Sequence, residues 1–261
     1  MKTKCHFGHP AGRLLLVTAL GGAMGPLMAA GADSPNNGTD PTKLISTAVL
    51  AYEYNDLANG LERHAPRFDL TLPFGEKNDY SLRLRVPVIR NDVFGNSSFN
   101  LGDVSLMGTH VFGVTPRRGM VLQAEYINNS ADRPELGTGR DVLKGTFIYA
   151  RFLPQGIFAP ALVHSLDLGG DHGRADVNMT TIDFYFVPKL KDPHYFVTVD
   201  PSLNFDWEND AQFASLAVTA GRTVGQAFGG ITQLYIKPSV LMGHERPGDW
   251  SMEVGFKVLG F

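Results

Sequence analysis

Apolar and polar side chains alternate residue by residue over much of this chain. Leu82, Leu84, Val86 and Val88 are separated by Ser81, Arg83, Arg85 and Pro87. Phe68, Leu70 and Leu72 alternate with Arg67, Asp69 and Thr71, and Leu122, Ala124 and Tyr126 with Gln123 and Glu125. The run from Tyr195 to Glu208 keeps the same period, as does Trp250 to Val258 against Ser251, Glu253, Gly255 and Lys257. A period of two places one parity on each face of a strand. The expected strands are 44–54, 65–74, 79–90, 99–113, 117–128, 141–152, 156–167, 176–188, 194–207, 211–222, 228–241 and 249–261. Of these, 141–152 and 211–222 alternate poorly. Between the runs lie polar Gly-, Pro- and Asn-rich breaks such as Gly75 to Asp79, Asn128 to Gly139 and Gly243 to Gly248. Many runs reach the roughly 9–11 residues that a tilted strand needs to cross a bilayer.

About twelve long strands with no competing helical period predict an all-β chain, a single antiparallel transmembrane β-barrel. Prolines at 73, 87, 160, 188, 201 and 238 argue against long helices. Proline also cannot donate to a strand ladder, so these positions predict bulges or strand ends. Tyr52, Tyr54, Phe74, Tyr80, Phe152, Phe158, Trp207 and Trp250 lie near strand ends, where amphipathic rings form interfacial girdles. Phe261 breaks the parity of the last strand, and a bulge at Gly260 would restore it.

The first residues change the picture. Lys2, Lys4 and Arg13 precede an apolar stretch from Leu14 to Met28, and Ala30-Gly31-Ala32 follows. This is the layout of a cleaved export signal. The stretch is too short and too broken by glycine and Pro26 for a spanning helix. The expected organisation is a signal over 1–32 and a barrel over 33–261. The one cysteine, Cys5, leaves with the signal, so no disulfide or thiol chemistry is expected. The formal net charge is −3 and becomes more negative without the signal, which argues against a nucleic-acid partner.

Five segments carry a family resemblance. They are Leu101-Gly102-Asp103-Val104-Ser105-Leu106, Phe152 through Pro160, Thr181-Ile182-Asp183-Phe184-Tyr185-Phe186, Asp200-Pro201 leading to Asp206-Trp207-Glu208-Asn209, and Asp249 through Gly255. Together they resemble the outer-membrane channels grouped as the MetA-pathway of phenol degradation transporter family, from about Lys43 to Phe261. The resemblance implies an outer-membrane barrel. It also implies passage of small solutes, with hydrophobic or aromatic compounds the first guess. The aromatic C-terminal strand is similar to the signal read by the barrel-insertion machinery, so that machinery and outer-membrane lipid are the expected partners.

In a barrel the polar parity faces the lumen. The lumen and selectivity candidates are Arg67, Arg83, Arg85, Asp103, Asp183, Asp200, Asp206 and Lys237. Charges of both signs in a narrow lumen either pair across it or tune permeation. His164 and Ser165 are neighbours on opposite faces of a strand and cannot form a dyad. His110 and His194, with Ser105 or Ser202 across strands, leave a lipid-modifying enzyme open as an alternative, beside a non-transporting structural barrel and a soluble ligand-binding β-protein. No His, Asp or Glu grouping has metal-ligand spacing, and no cofactor is expected.

Overall fold

The computed structural model describes residues 37–92 and 98–261. The expected export signal lies outside them. The strands are β1 (Thr47–Leu57), β2 (Leu61–Phe74), β3 (Tyr80–Asn91), β4 (Asn100–Leu101), β5 (Ser105–Phe112), β6 (Arg118–Ile127), β7 (Arg140–Leu153), β8 (Gly156–Gly170), β9 (Asn178–Pro188), β10 (Tyr195–Asp206), β11 (Ala211–Ala227), β12 (Gly230–Met242) and β13 (Gly248–Leu259). All pairings are antiparallel. β3 pairs with β5, the two-residue β4 is appended to β3, and β13 pairs with β1 along its whole length. The result is a closed twelve-stranded barrel, as the alternation predicts. Closure removes every long sheet edge, which a strand in lipid requires.

The parity read from the sequence is the parity observed. On β3, Ser81 and Arg83 are buried inside while Leu82 and Leu84 are exposed on the outer wall. Two aromatic rows bound that outer wall. At one end Phe74, Tyr80, His110 and Phe112 stack at centroid distances of 5.6, 4.3 and 5.4 Å. At the other, Tyr54 contacts Trp250 at 5.1 Å and His64 at 5.3 Å. On β2, His64 in one row and Phe74 in the other lie ten residues apart. That is about 33 Å of strand, or about 25 Å of height at a tilt of about 40°, the thickness of a lipid-facing band. Leu84 pairs with Leu70, between these rows. Leu84→Arg is expected to weaken folding into bilayers by about 2–4 kcal/mol, read from urea unfolding in vesicles. Wild-type stability in that variant would refute the outward assignment.

The prolines sit where pairing lapses on one side. β8 pairs with β7 at Ala161 and Phe158 but not at Pro160, which pairs only with Phe184 of β9. Pro201 falls between the β9 pairings of Val199 and Ser202 and keeps Leu216 on its other side. Pro238 falls between Ile236 and Ser239 on the β11 side and keeps Met252. At Pro87, β3 changes partner from β5 to β4. A missing N–H is harmless where the ladder is already open. The expected bulges are thus mostly one-sided gaps.

Two expectations need correction. Phe152 faces inward and packs against an interior apolar cluster, so it does not belong to a girdle. No bulge restores Phe261: β13 ends at Leu259, and Gly260, at φ +72°, turns the chain out of the strand. Such a φ is unstrained only for glycine. The Gly260 N–H donates to Ser46 O at 2.9 Å and the Ser46 hydroxyl to Phe261 O at 2.8 Å, which ties the chain end to the start of β1.

The two barrel ends differ. One end holds the start of β1, the end of β13 and the turns 75–79, 113–117, 154–155, 189–194 and 228–229; it is called the turn end below. The other holds the connections 92–104 and 128–139 and four shorter ones, and is called the loop end.

Candidate functional site in the barrel lumen

Inward-facing side chains fill the lumen at three levels. At mid-height the charges are paired. Asp69 and Arg85 oppose each other in register on β2 and β3, as do Glu125 and Lys144 on β6 and β7. Arg67 donates to both Glu253 oxygens at 2.7 and 3.0 Å and to Asp69 at 3.2 Å. Arg85 donates to both Asp69 oxygens at 2.7 and 3.1 Å, and Tyr235 caps Glu253 at 2.5 Å. Beside this group, Glu125 accepts from Arg83 and from Ser105, both at 2.8 Å, and lies 3.1 Å from Lys144. Arg83 and Glu125 are each only 2% exposed. Lys257 lies over the rings of Phe196 and Tyr235 at 4.8 and 4.7 Å, a cation–π arrangement. On the opposite wall Asp183 and Asp200 lie close together on β9 and β10, with Lys237 within interaction range.

Not every candidate takes part. Asp103 lies just before β5 and binds loop backbone. It accepts from the N–H groups of Ser130, Ala131 and Thr138 at 3.2, 3.1 and 2.7 Å. Asp206 caps the β10–β11 turn, accepting from Glu208 N, Asn209 N and Asn209 Nδ2. Both thus hold loop backbone, and Asp103 also borders the interior cavity described below. Arg67, Arg83, Arg85, Asp183, Asp200 and Lys237 do line the interior. Asp69 and Glu125, on the polar parity of their strands, supply two of the carboxylate partners, whereas Glu253 and Lys144 were not among the expected lumen charges. Glu253 was visible by parity, whereas Lys144 lies on the poorly alternating β7.

The loop end is covered by the β6–β7 connection. Its short 3-10 turn, Pro134–Leu136, lays Leu136 against inward Ala65 and Ile89. Asn91 holds Glu135 O, and Arg174 holds Thr138 O and Gly137 O at 2.9 and 2.7 Å. A cavity of about 100 Å³ remains beneath, lined by Glu53, Arg63, Arg67, Arg85, Glu125 and Lys144. Asp103→Ala would orphan three loop N–H groups, each costing about 1–3 kcal/mol if kept from water. The expected result is faster hydrogen exchange confined to 128–139. Unchanged exchange there would refute the stapling role.

The turn end holds a stretch of the chain itself. Residues 37–46 enter the lumen ahead of β1. Asp40 and Pro41 are fully buried, and Asp40 accepts from the N–H and hydroxyl of Thr42, both at 2.8 Å. Leu44 packs into a wall of inward apolar residues that includes Val111, Val121, Ile148, Ala159 and Tyr185. Gly119 allows the close approach, since a Cβ there would lie 2.6 Å from Thr42 Cγ2. Tyr185 donates to Thr39 O at 3.1 Å and Gln233 to Asn37 O at 3.2 Å. These two donors stand on β9 and β12, so the segment reaches across the lumen. It also explains the weak alternation of β7: near this end, Ile148 and Ala150 face the segment while Phe147 and Tyr149 face outward. β11 alternates weakly for a related reason. Its inner face carries Gly221, against which Phe196 lies.

His and Ser do not meet as the enzyme alternative needs. Ser105 and Ser202 point inward, while His110 stands in the outer aromatic row and His194 in a turn with Asp192.

No family model matches the chain, and no curated protein is detectably similar to it. Solved structures are similar. A COG4313 outer membrane channel from Pseudomonas putida F1 superposes with a TM-score of 0.67 at 11% identity, over 82% of this chain and 95% of that one. The barrel has the fold of outer-membrane channels. The KdgM porin in complex with disordered oligogalacturonate matches at TM-score 0.56 and 9% identity, over 81% of this chain and 98% of that chain. The NanC porin matches at 0.52 and 12%, over 82% and 98%.

Proposed function

We propose that this chain is an outer-membrane channel for small solutes, held shut at its turn end by its own residues 37–46. One observation carries the reading. The closing element is a separate stretch of chain laid against an apolar inner wall, and a barrel that needed only filling could use wall side chains. Short turns and both strand termini at one end support a periplasmic position for that end, by analogy with other barrels. If export removes residues 1–32, the mature chain begins just ahead of the closing segment. The apolar wall under Leu44 suits the hydrophobic part of a small solute, in keeping with the family resemblance.

The test is planar-bilayer recording of the purified, refolded chain. Conductance that rises when the segment is removed supports the channel. Absence of current in both forms would favour a structural barrel, a reading that the near-complete burial of Arg83 and Glu125 also supports. Within a conducting barrel, Asp183→Asn with Asp200→Asn is expected to shift the reversal potential toward anion selectivity, since fixed charges in a narrow lumen are weakly screened. An unchanged reversal potential would remove this pair from the conducting path.

A further inference from the structure

We propose that the outer wall at the turn end carries a binding site for the phosphate of an anionic phospholipid, built by Arg118 and Arg151. The proposal rests on the membrane-spanning reading above and goes beyond it. Arg118 and Arg151 are directly opposed on β6 and β7. The adjacent Phe152 N–H donates to Arg117 O at 3.0 Å. The 117/152 position is thus the hydrogen-bonded one, and 118/151 is a non-hydrogen-bonded pair, whose Cα atoms lie only about 4.5 Å apart. Like charges set opposite each other in this way destabilise a sheet. Both residues are exposed, Arg117 in the adjoining turn is a third exposed cation, and none of the three forms an ion pair among the described residues. Asp192, in the β9–β10 turn, is engaged by His194. In a chain of net charge −3, such a group implies a counter-ion from outside.

Its position says which one. The pair lies one step beyond Met120 and Tyr149, which are paired on the outer wall, and Phe158 and Phe186 continue its row along β8 and β9. Cations at the edge of an apolar, aromatic band stand at headgroup level. Two forked guanidiniums can each take two oxygens of one phosphate, while the acyl chains lie over Met120, Tyr149 and Phe158. Free phosphate would use the arginines but gain nothing from the apolar row.

The experiment is native mass spectrometry of the full-length barrel, folded in detergent, with added phosphatidylglycerol or phosphatidylcholine. The wild type is expected to retain phosphatidylglycerol about tenfold better, because both phosphates accept the same hydrogen bonds but the choline ammonium of phosphatidylcholine brings a further cation against the arginines. Arg118→Gln with Arg151→Gln should remove the preference, and Arg118→Lys with Arg151→Lys should keep part of it. Equal retention of the two lipids by the wild type overturns the proposal without any variant having to fold. So does an undiminished preference in the folded Gln variant. Full displacement of the lipid by an equimolar amount of inorganic phosphate would assign the arginines to a free anion and also overturn it. A barrel that inserts into vesicles but holds both lipids alike fails here alone, whereas one that never inserts fails the membrane reading.

Discussion

Deletion of residues 37–44 is expected to turn a closed barrel into a conducting one, and Leu44→Ala is expected to do so in part. Leu44 is buried among inward apolar side chains, and burying a leucine contributes about 1.5–3 kcal/mol. Two hydrogen bonds, from Tyr185 to Thr39 O and from Gln233 to Asn37 O, anchor the rest. Losing about 1.4–2.8 kcal/mol of preference for the closed form multiplies the open population by about 10–100. Leu44→Ala should therefore raise open probability by about tenfold or more, and full deletion should leave the channel open for most of a recording. The measurement is single-channel current at fixed voltage. Identical current traces from wild type, Leu44→Ala and the deletion would exclude the segment as the gate. The wall beneath should stay folded, because its strands are held by ladders that, apart from the gap at Pro160, run independently of the segment.

Glu125→Ala is expected to be the most damaging single change to the barrel. It takes from Arg83 and Lys144 the carboxylate that both share. Breaking a buried pair on one side costs about 3–5 kcal/mol, because an uncompensated charge remains. Glu125→Gln keeps the shape but not the charge and should fall between alanine and wild type. Arg83→Met together with Glu125→Gln should be milder than Glu125→Ala, since the deeper cation is removed with its partner. Lys144 is then the cation left over, and at 17% side-chain exposure it retains some contact with water. Urea unfolding in lipid vesicles measures all three. A double variant less stable than Glu125→Ala would mean that the ion pair itself, and not the orphaned charge, sets the cost.

Much of the architecture was legible because a barrel wall writes itself into the sequence at period two. Lipid outside and polar groups inside give each strand opposite demands on its two faces, so strand number, the outward position of Leu84 and the inward position of Arg83 follow from local pattern alone. Local pattern fails where the lumen stops being polar. Beside residues 37–46 the inner wall of β7 is apolar, because it faces another stretch of chain and not water, so both faces read alike. Asp103 and Asp206 show a complementary limit. Both read as lumen charges, and the backbone that each also binds, at 130–138 and 208–209, is placed only once the loops have folded. Which cation meets which carboxylate is likewise beyond the sequence. Arg67 and Glu253 stand 186 positions apart and become neighbours only because β13 closes on β1 and β1 pairs with β2. The sequence by itself determined the strands, their two faces and the family of shapes they could form. Barrel closure and the inward fold of residues 37–46 decided which charges pair and what occupies the turn end of the lumen, because those contacts join residues far apart in the chain.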